Sequence, residues 1–231
     1  RVSLTFTPTA GTLTLTVSGS VTLADLRTAD DAAKAIPAYQ RVNTASDYDT
    51  DGFPHYWLYD GTDDSDATAS TVDGSASSKV TVIAGIAKLS DAAAACVIEH
   101  TATSASNDGS FILSAPTAAA VYQWRSKGTA LSDAATAASY PAPHSGVLTG
   151  VGDIANDTSA LRIGGAQVAT AATDQGTGTY ANATTYFGRR GASSLPFNGR
   201  EYAIIERFGP MSDSERNQAE RWVAQRMGVT I

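Results

Sequence analysis

The feature that most restricts this chain's fold is its division into short apolar runs, many alternating with polar residues, separated by turn signals. Leu4 and Phe6, then Leu13, Leu15 and Val17, alternate with Thr and Ser, and Pro8–Gly11 lies between the two sets. A period of two puts apolar side chains on one face of an extended strand. Further runs follow at Phe53–Tyr59, Val80–Leu89, Ala95–Ala102, Ser110–Ala115, Ala120–Lys127, Gly146–Gly152 and Ala160–Ile163. Gln167–Ala171, Tyr186–Arg189 and Glu201–Phe208 complete the series. Asp60-Gly61, Asn107-Asp108-Gly109 and Gly164-Gly165 supply turns between them. Val80–Leu89 is apolar on both faces, as a central strand requires. Ala67–Ser78 is a loop or weak edge strand, and residues 24–36 form a short helix or an ordered loop. Turns at this spacing predict a mainly β, two-sheet sandwich rather than alternating strands and helices.

The period changes once, near the end. Ser212 and Glu215 match the S-x-x-E capping box, in which each side chain accepts a hydrogen bond from the other residue's backbone N–H. Ala219, Trp222, Val223 and Met227 then share one face, with Arg216, Glu220 and Arg221 assigned to the other, and Gly228 ends the helix. The expected element is an amphipathic helix over Asp213–Met227, docked through Trp222.

Composition fits such a fold and narrows its role. Charged residues make up 17% of the 231, against roughly 25% in typical globular domains. The net charge of −7 opposes a phosphate-binding groove, so no nucleic-acid partner is expected. No apolar run is long enough to span a membrane. The single cysteine, Cys96, lies in an apolar run and reads as a buried thiol, which leaves no internal disulfide or multi-Cys zinc site. The chain opens at Arg1 without an initiator Met, which reads as part of something longer.

Several landmarks, in order, resemble those of laminin G-like modules of the concanavalin A-like jelly-roll class. Leu58-Tyr59-Asp60-Gly61-Thr62-Asp63-Asp64 resembles that family's F-D-G-x-D-D strand end. Leu161–Val168 resembles its small hairpin with central glycine, and Tyr186-Phe187-Gly188 its hydrophobic-Gly strand. Phe197-Asn198-Gly199-Arg200-Glu201-Tyr202 resembles F-x-G-x-[ILV], and Met211–Arg216 the Leu-Ser-Asp-x-Glu helix start. The likeness covers about residues 55–231. It implies an antiparallel jelly-roll sandwich closed by a C-terminal helix over residues 46–231, preceded by a β segment or adaptor at 1–45. Modules of this kind occur in bacteriophage virions and on bacterial surfaces. The implied function is a non-catalytic structural or decoration domain of a phage head, tail spike or fibre. It would contact other virion subunits or copies of itself. The alternative is a lectin-like module of a bacterial surface or secreted protein, with a cell-surface polysaccharide as partner.

For binding chemistry, Asp47, Asp49 and Asp51 before Gly52 match the D-x-D-x-D-G opening of a calcium loop, but the twelfth position is Leu58 where a bidentate Glu belongs. The segment reads as a calcium site or as a solvated acidic loop. Asp60, Asp63, Asp64 and Asp66 read as turn residues. Exposed aromatic rings stack on sugars, and Tyr48, Tyr140 and Tyr180, in expected loops, are the candidate glycan contacts, whereas Trp57 and Trp124 belong to expected core strands. No catalytic set is visible. The E-x-D-x-x-E pattern of jelly-roll glucanases is missing, Glu99 is the only glutamate before residue 201, and alternation puts Glu201 and Glu206 on opposite faces. His55, His100 and His144 show neither metal-ligand spacing nor a nucleophile elbow.

Overall fold

Two antiparallel sheets stack face to face in the computed structural model, which describes residues 54–135 and 139–231. Its strands are β1 (Trp57–Asp60), β2 (Asp66–Ala67), β3 (Val72–Asp73), β4 (Lys79–Lys88), β5 (Cys96–His100), β6 (Ser110–Ala118) and β7 (Val121–Lys127). They continue with β8 (Leu131–Ala135), β9 (His144–Asp153), β10 (Thr158–Ile163), β11 (Ala166–Ala171), β12 (Asn182–Ala183), β13 (Thr185–Phe187) and β14 (Asn198–Phe208). Helix α1 (Asp213–Met227) closes the chain. The first sheet runs β1-β14-β4-β9-β10-β11 and the second β2-β13-β5-β6-β7-β8, with β3 and β12 as a separate small pair. This is the expected jelly-roll sandwich with one C-terminal helix. The residues expected as strands over Leu4–Val17, the 24–36 segment and the boundary near residue 46 lie outside the described residues.

The apolar pattern of β4 explains its central place. Val80, Val82, Ala84 and Ile86 enter the core between the sheets, while Ile83 turns outward beneath α1. Trp124, Phe111 and Tyr180 fill the inter-sheet layer, each 1% exposed or less. Cys96 is buried there too, and desolvation raises its thiol well above the ordinary value. The resemblance's small hairpin is β10–β11, with Gly164 and Gly165 at φ 57° and 81°, a pair of positive angles that favours glycine.

Helix α1 has both predicted caps. The Ser212–Glu215 capping box is complete, and Gly228 ends the helix at φ 71°. Its buried face differs from expectation. Glu220, Val223, Ala224 and Met227 are buried, whereas Trp222 is 44% exposed, with the Arg226 guanidinium over its ring. At about 100° per residue, positions 220, 223, 224 and 227 form one stripe and Trp222 falls far outside it. Glu220 is accepted in that stripe because Arg162 meets it there, at 2.8 Å from Nε to Oε1.

Strand β14 carries the irregularity that shapes the site. Glu201 pairs with Ile86 and Ala203 with Gly85, so Tyr202 is an extra residue on the β14 side. Such a bulge reverses the alternation beyond it. Tyr202, Ala203 and Ile205 consequently pack on the helix side, while Ile204 and Phe208 join the inter-sheet core.

Candidate functional site

The sandwich has an open margin where β1, the edge of the first sheet, faces β2, the edge of the second. In register, β1 reaches along β14 only as far as Trp57 opposite Glu201. Past that point, among the described residues, β14 has no ladder partner on this side. A cavity of about 510 Å³ opens there. Its walls carry the rings of Trp57, Tyr59, Phe187, Tyr202 and Trp222, and its polar groups are Asp66, Glu201 and Glu206.

Glu201 and Glu206 were expected on opposite faces of their strand. The bulge at Tyr202 corrects this: both carboxylates line the same cavity. Glu201 is 1% exposed, and its Oε1 has no hydrogen-bond partner among the described residues. Burial raises its pKa well above the usual carboxylate range and nearby Asp66 adds to the effect, while the hydrogen bond it shares with Tyr59 opposes it. The one proton of the Tyr59 hydroxyl goes to Asp66 Oδ2 at 3.0 Å, and burial raises the phenol's own pKa.

Glu206 lies deeper along β14. Desolvation pushes it up to about 7, partly offset by the Thr185 hydroxyl 3.1 Å from Oε2. Next to it, His100 is fully buried between Phe111 and Phe208, with Nε2 2.9 Å from the Ala181 carbonyl and Nδ1 3.0 Å from Thr185 Oγ1. A carbonyl accepts only, so Nε2 carries the proton and Nδ1 is an acceptor. Thr185 has one hydroxyl proton for both Nδ1 and Glu206. A proton on Glu206 resolves that conflict, because the acid then donates to Thr185 and Thr185 to His100. The raised Glu206 pKa and the lowered His100 pKa, both caused first by desolvation, agree with this arrangement. The site therefore presents carboxyl groups in an apolar, ring-walled recess, able to bond hydroxyl or amine donors on a ligand whose apolar face rests on the rings.

The residues singled out from sequence fall elsewhere. Asp47, Asp49, Asp51 and Tyr48 lie outside the described residues. Tyr180 is corrected: it is 1% exposed, and its hydroxyl bonds Ser126 Oγ at 2.7 Å, so no sugar reaches its ring. Tyr140 stacks on Tyr122 at 5.4 Å and edges against His144, half-buried over the core, at a distance from the cavity lining. Trp57 is corrected in the other direction: on an edge strand it is 60% exposed. Trp124 is core, as expected.

Asp60, Asp63 and Asp64 have carboxylate oxygens within 4.8 Å of one another on the exposed surface. Asp60 Oδ1 accepts from Thr62 N at 2.7 Å and Asp64 Oδ2 from Asp60 N at 3.0 Å, the turn chemistry expected of them. The cavity went unrecognised because alternation gave no hint of the bulge. The available signal was two glutamates in an otherwise apolar strand, Glu201 and Glu206 flanking Ala203-Ile204-Ile205.

No protein-family model matches the chain, and no curated protein matches it in sequence. Among solved structures, it is similar to a native heptameric SAP-like pentraxin from Limulus polyphemus, at 12% identity and a TM-score of 0.55, covering 72% of this chain and 80% of that one. It is also similar to domain 4 of AbnA, a GH43 extracellular arabinanase from Geobacillus stearothermophilus, solved in complex with arabinotriose. That match has 14% identity and a TM-score of 0.51, covering 64% of this chain and 68% of the other. These likenesses bear on the fold alone: the chain is a two-sheet antiparallel jelly-roll sandwich.

Proposed function

We propose that this domain is a non-catalytic carbohydrate-binding module of a bacterial surface or secreted protein, and that it binds its glycan at the margin between β1 and β2. The observation that carries the reading is the cavity of about 510 Å³, in which exposed Trp57 and Trp222 stand beside buried carboxyl groups. Sugar rings offer an apolar face for stacking and hydroxyls for hydrogen bonding, and this recess supplies both complements. A jelly roll of the same build, the arabinanase domain, is seen in complex with arabinotriose, which supports a sugar site on such a scaffold.

A glycan array probed with the purified protein, with and without a calcium chelator, tests this. The expected result is a defined set of bound glycans whose signal falls on Trp57→Ala. Silence across the array sinks the proposal. A signal abolished by the chelator assigns calcium a part in binding.

The virion setting implied by the sequence landmarks is a second reading. The exposed Tyr56, Trp57 and Leu58 favour it as a subunit contact. Mass photometry separates the two, because defined oligomers lost on Leu58→Asp, together with an empty array, support assembly over sugar binding.

A further inference from the structure

Resting on the carbohydrate reading, we propose that the cavity between β1 and β2 selects amino sugars, taking the protonated amine of a glucosamine-type residue against Glu201. Glu201 Oε1 is buried, Glu201 lines the cavity, and that oxygen has no hydrogen-bond partner among the described residues. A buried acceptor left unmet is a cost to the empty protein, and a ligand donor that meets it relieves that cost. Asp66 and Glu206 line the same space, and among the described residues no Lys or Arg lines it. Among the described residues the recess is thus rich in acceptors and lacks a compensating cation. A neutral sugar hydroxyl supplies a hydrogen bond without charge. A sugar carboxylate meets like charge. An ammonium supplies both the donor and the charge, and the ring faces around the cavity favour a cation further.

The groups facing this position are Glu201 and Glu206 from β14, Asp66 from β2 and Tyr59 from β1, with His100 of β5 behind Glu206 at 3.4 Å. Burial holds Glu201 protonated above the usual carboxylate range, and Glu206 likewise up to about 7. A bound ammonium favours the ionised carboxylate, so binding releases protons to solvent.

The experiment is calorimetric titration of the full chain with glucosamine trimer, N-acetylglucosamine trimer and an Nα-acetyl-lysine amide, each in two buffers of different ionisation enthalpy at mildly acidic pH. The expected result is at least about tenfold tighter binding of the free-amine trimer than of the acetylated one, with net proton release. Glu201→Gln is expected to weaken the free-amine trimer about tenfold and to diminish the release, with the melting temperature reporting that the fold persists. Should that variant fail to fold, Asp66→Asn, on the exposed edge strand, is expected to weaken the same ligand selectively. Equal binding of the two trimers, or undiminished amine binding in a folded Glu201→Gln, overturns amine selection while leaving carbohydrate binding intact. Binding of the lysine amide in preference to the glucosamine trimer overturns the sugar as the amine's source. A glycan array silent for every class, amino sugars included, removes both proposals together.

Discussion

Glu201 and Glu220 are each 1% exposed, one at the open margin of the sandwich and one beneath the helix. Around Glu220, Arg162 donates from Nε to Oε1 at 2.8 Å and from Nη2 to Oε2 at 3.1 Å, and Thr149 adds its hydroxyl at 2.8 Å. Arg162 is held in turn by the Gly165 carbonyl and by Asn217. Glu201 has a shared phenol and an oxygen with no donor among the described residues. Burial is the same in the two regions, and satisfaction differs. A carboxylate enclosed with all its partners joins parts of the fold, here α1 to β9 and β10. One enclosed without them is a cost to the empty protein that a ligand can relieve. The difference separates a structural acid from a binding acid where exposure alone does not.

The largest test of that contrast is Glu220→Ala, expected to cost about 3–5 kcal/mol because it leaves Arg162 largely buried with its charge uncompensated. Urea denaturation measures it. Replacing both partners with apolar residues, Arg162→Met with Glu220→Leu, is expected to recover most of the loss. A double variant as weak as Glu220→Ala would show that the ion pair is not what joins helix to sheet.

Next comes Glu206→Gln, read as a change in the pH profile of stability. Glu206 is raised from 4.5 to about 7, so its folded pKa lies above its unfolded one. The native state then holds the proton longer, and the associated stability is full below pH 4.5 and lost as pH rises through 7. The loss is about 3 kcal/mol for a shift of this order, and the Gln variant is expected to flatten that decline. His100 works oppositely, since its lowered pKa gives stability that is present above 6.5 and lost as pH falls through its folded value. An unchanged profile in Glu206→Gln breaks the assignment of the slope to this acid.

Glu201→Gln is expected to raise stability by about 1–2 kcal/mol, the reverse in sign of any change at Glu220, because an amide is less costly to bury than an acid lacking a partner. A substantial loss of stability in this variant contradicts the contrast directly. The smallest effect is Trp222→Ala. With the ring 44% exposed, the change is expected to cost under about 1 kcal/mol in denaturation while lowering the glycan signal.

How much of this was legible in the sequence follows how local each cause is. The Ser212–Glu215 box, the Gly164-Gly165 hairpin and the two-faced apolar run of β4 are set by neighbours in the chain, and all three appear where residue order placed them. Glu220 was read as outward because its charge suggests solvent, and its partner Arg162 is 58 positions away. Trp222 was read as docked because tryptophan is apolar, but the stripe through Val223 and Met227 had no place for it. Tyr180, in a segment outside the strands, suggested an exposed loop, yet its ring completes the core against Phe111 and Phe208. Trp57 shows the converse, since a strand at a sheet edge leaves a large ring in solvent. The cavity itself needed both a bulge and the meeting of two edges, and neither is written in any single segment.

The extra residue at Tyr202 acts as a change of parity. Upstream and downstream of it, odd and even positions exchange faces, so the bulge takes up one residue and lets Glu201 and Glu206, five apart, look the same way. Were β14 to pair flush with β4 while keeping Tyr202, Glu206 would turn towards the helix and Ile205 into the recess, dispersing the acidic pocket with no change of composition. For this fold, the identity of a site is thus carried by the counting of residues as much as by their kind. Two chains alike in the letters of β14, but differing in whether one residue is taken up as a bulge, would present different side chains to the recess.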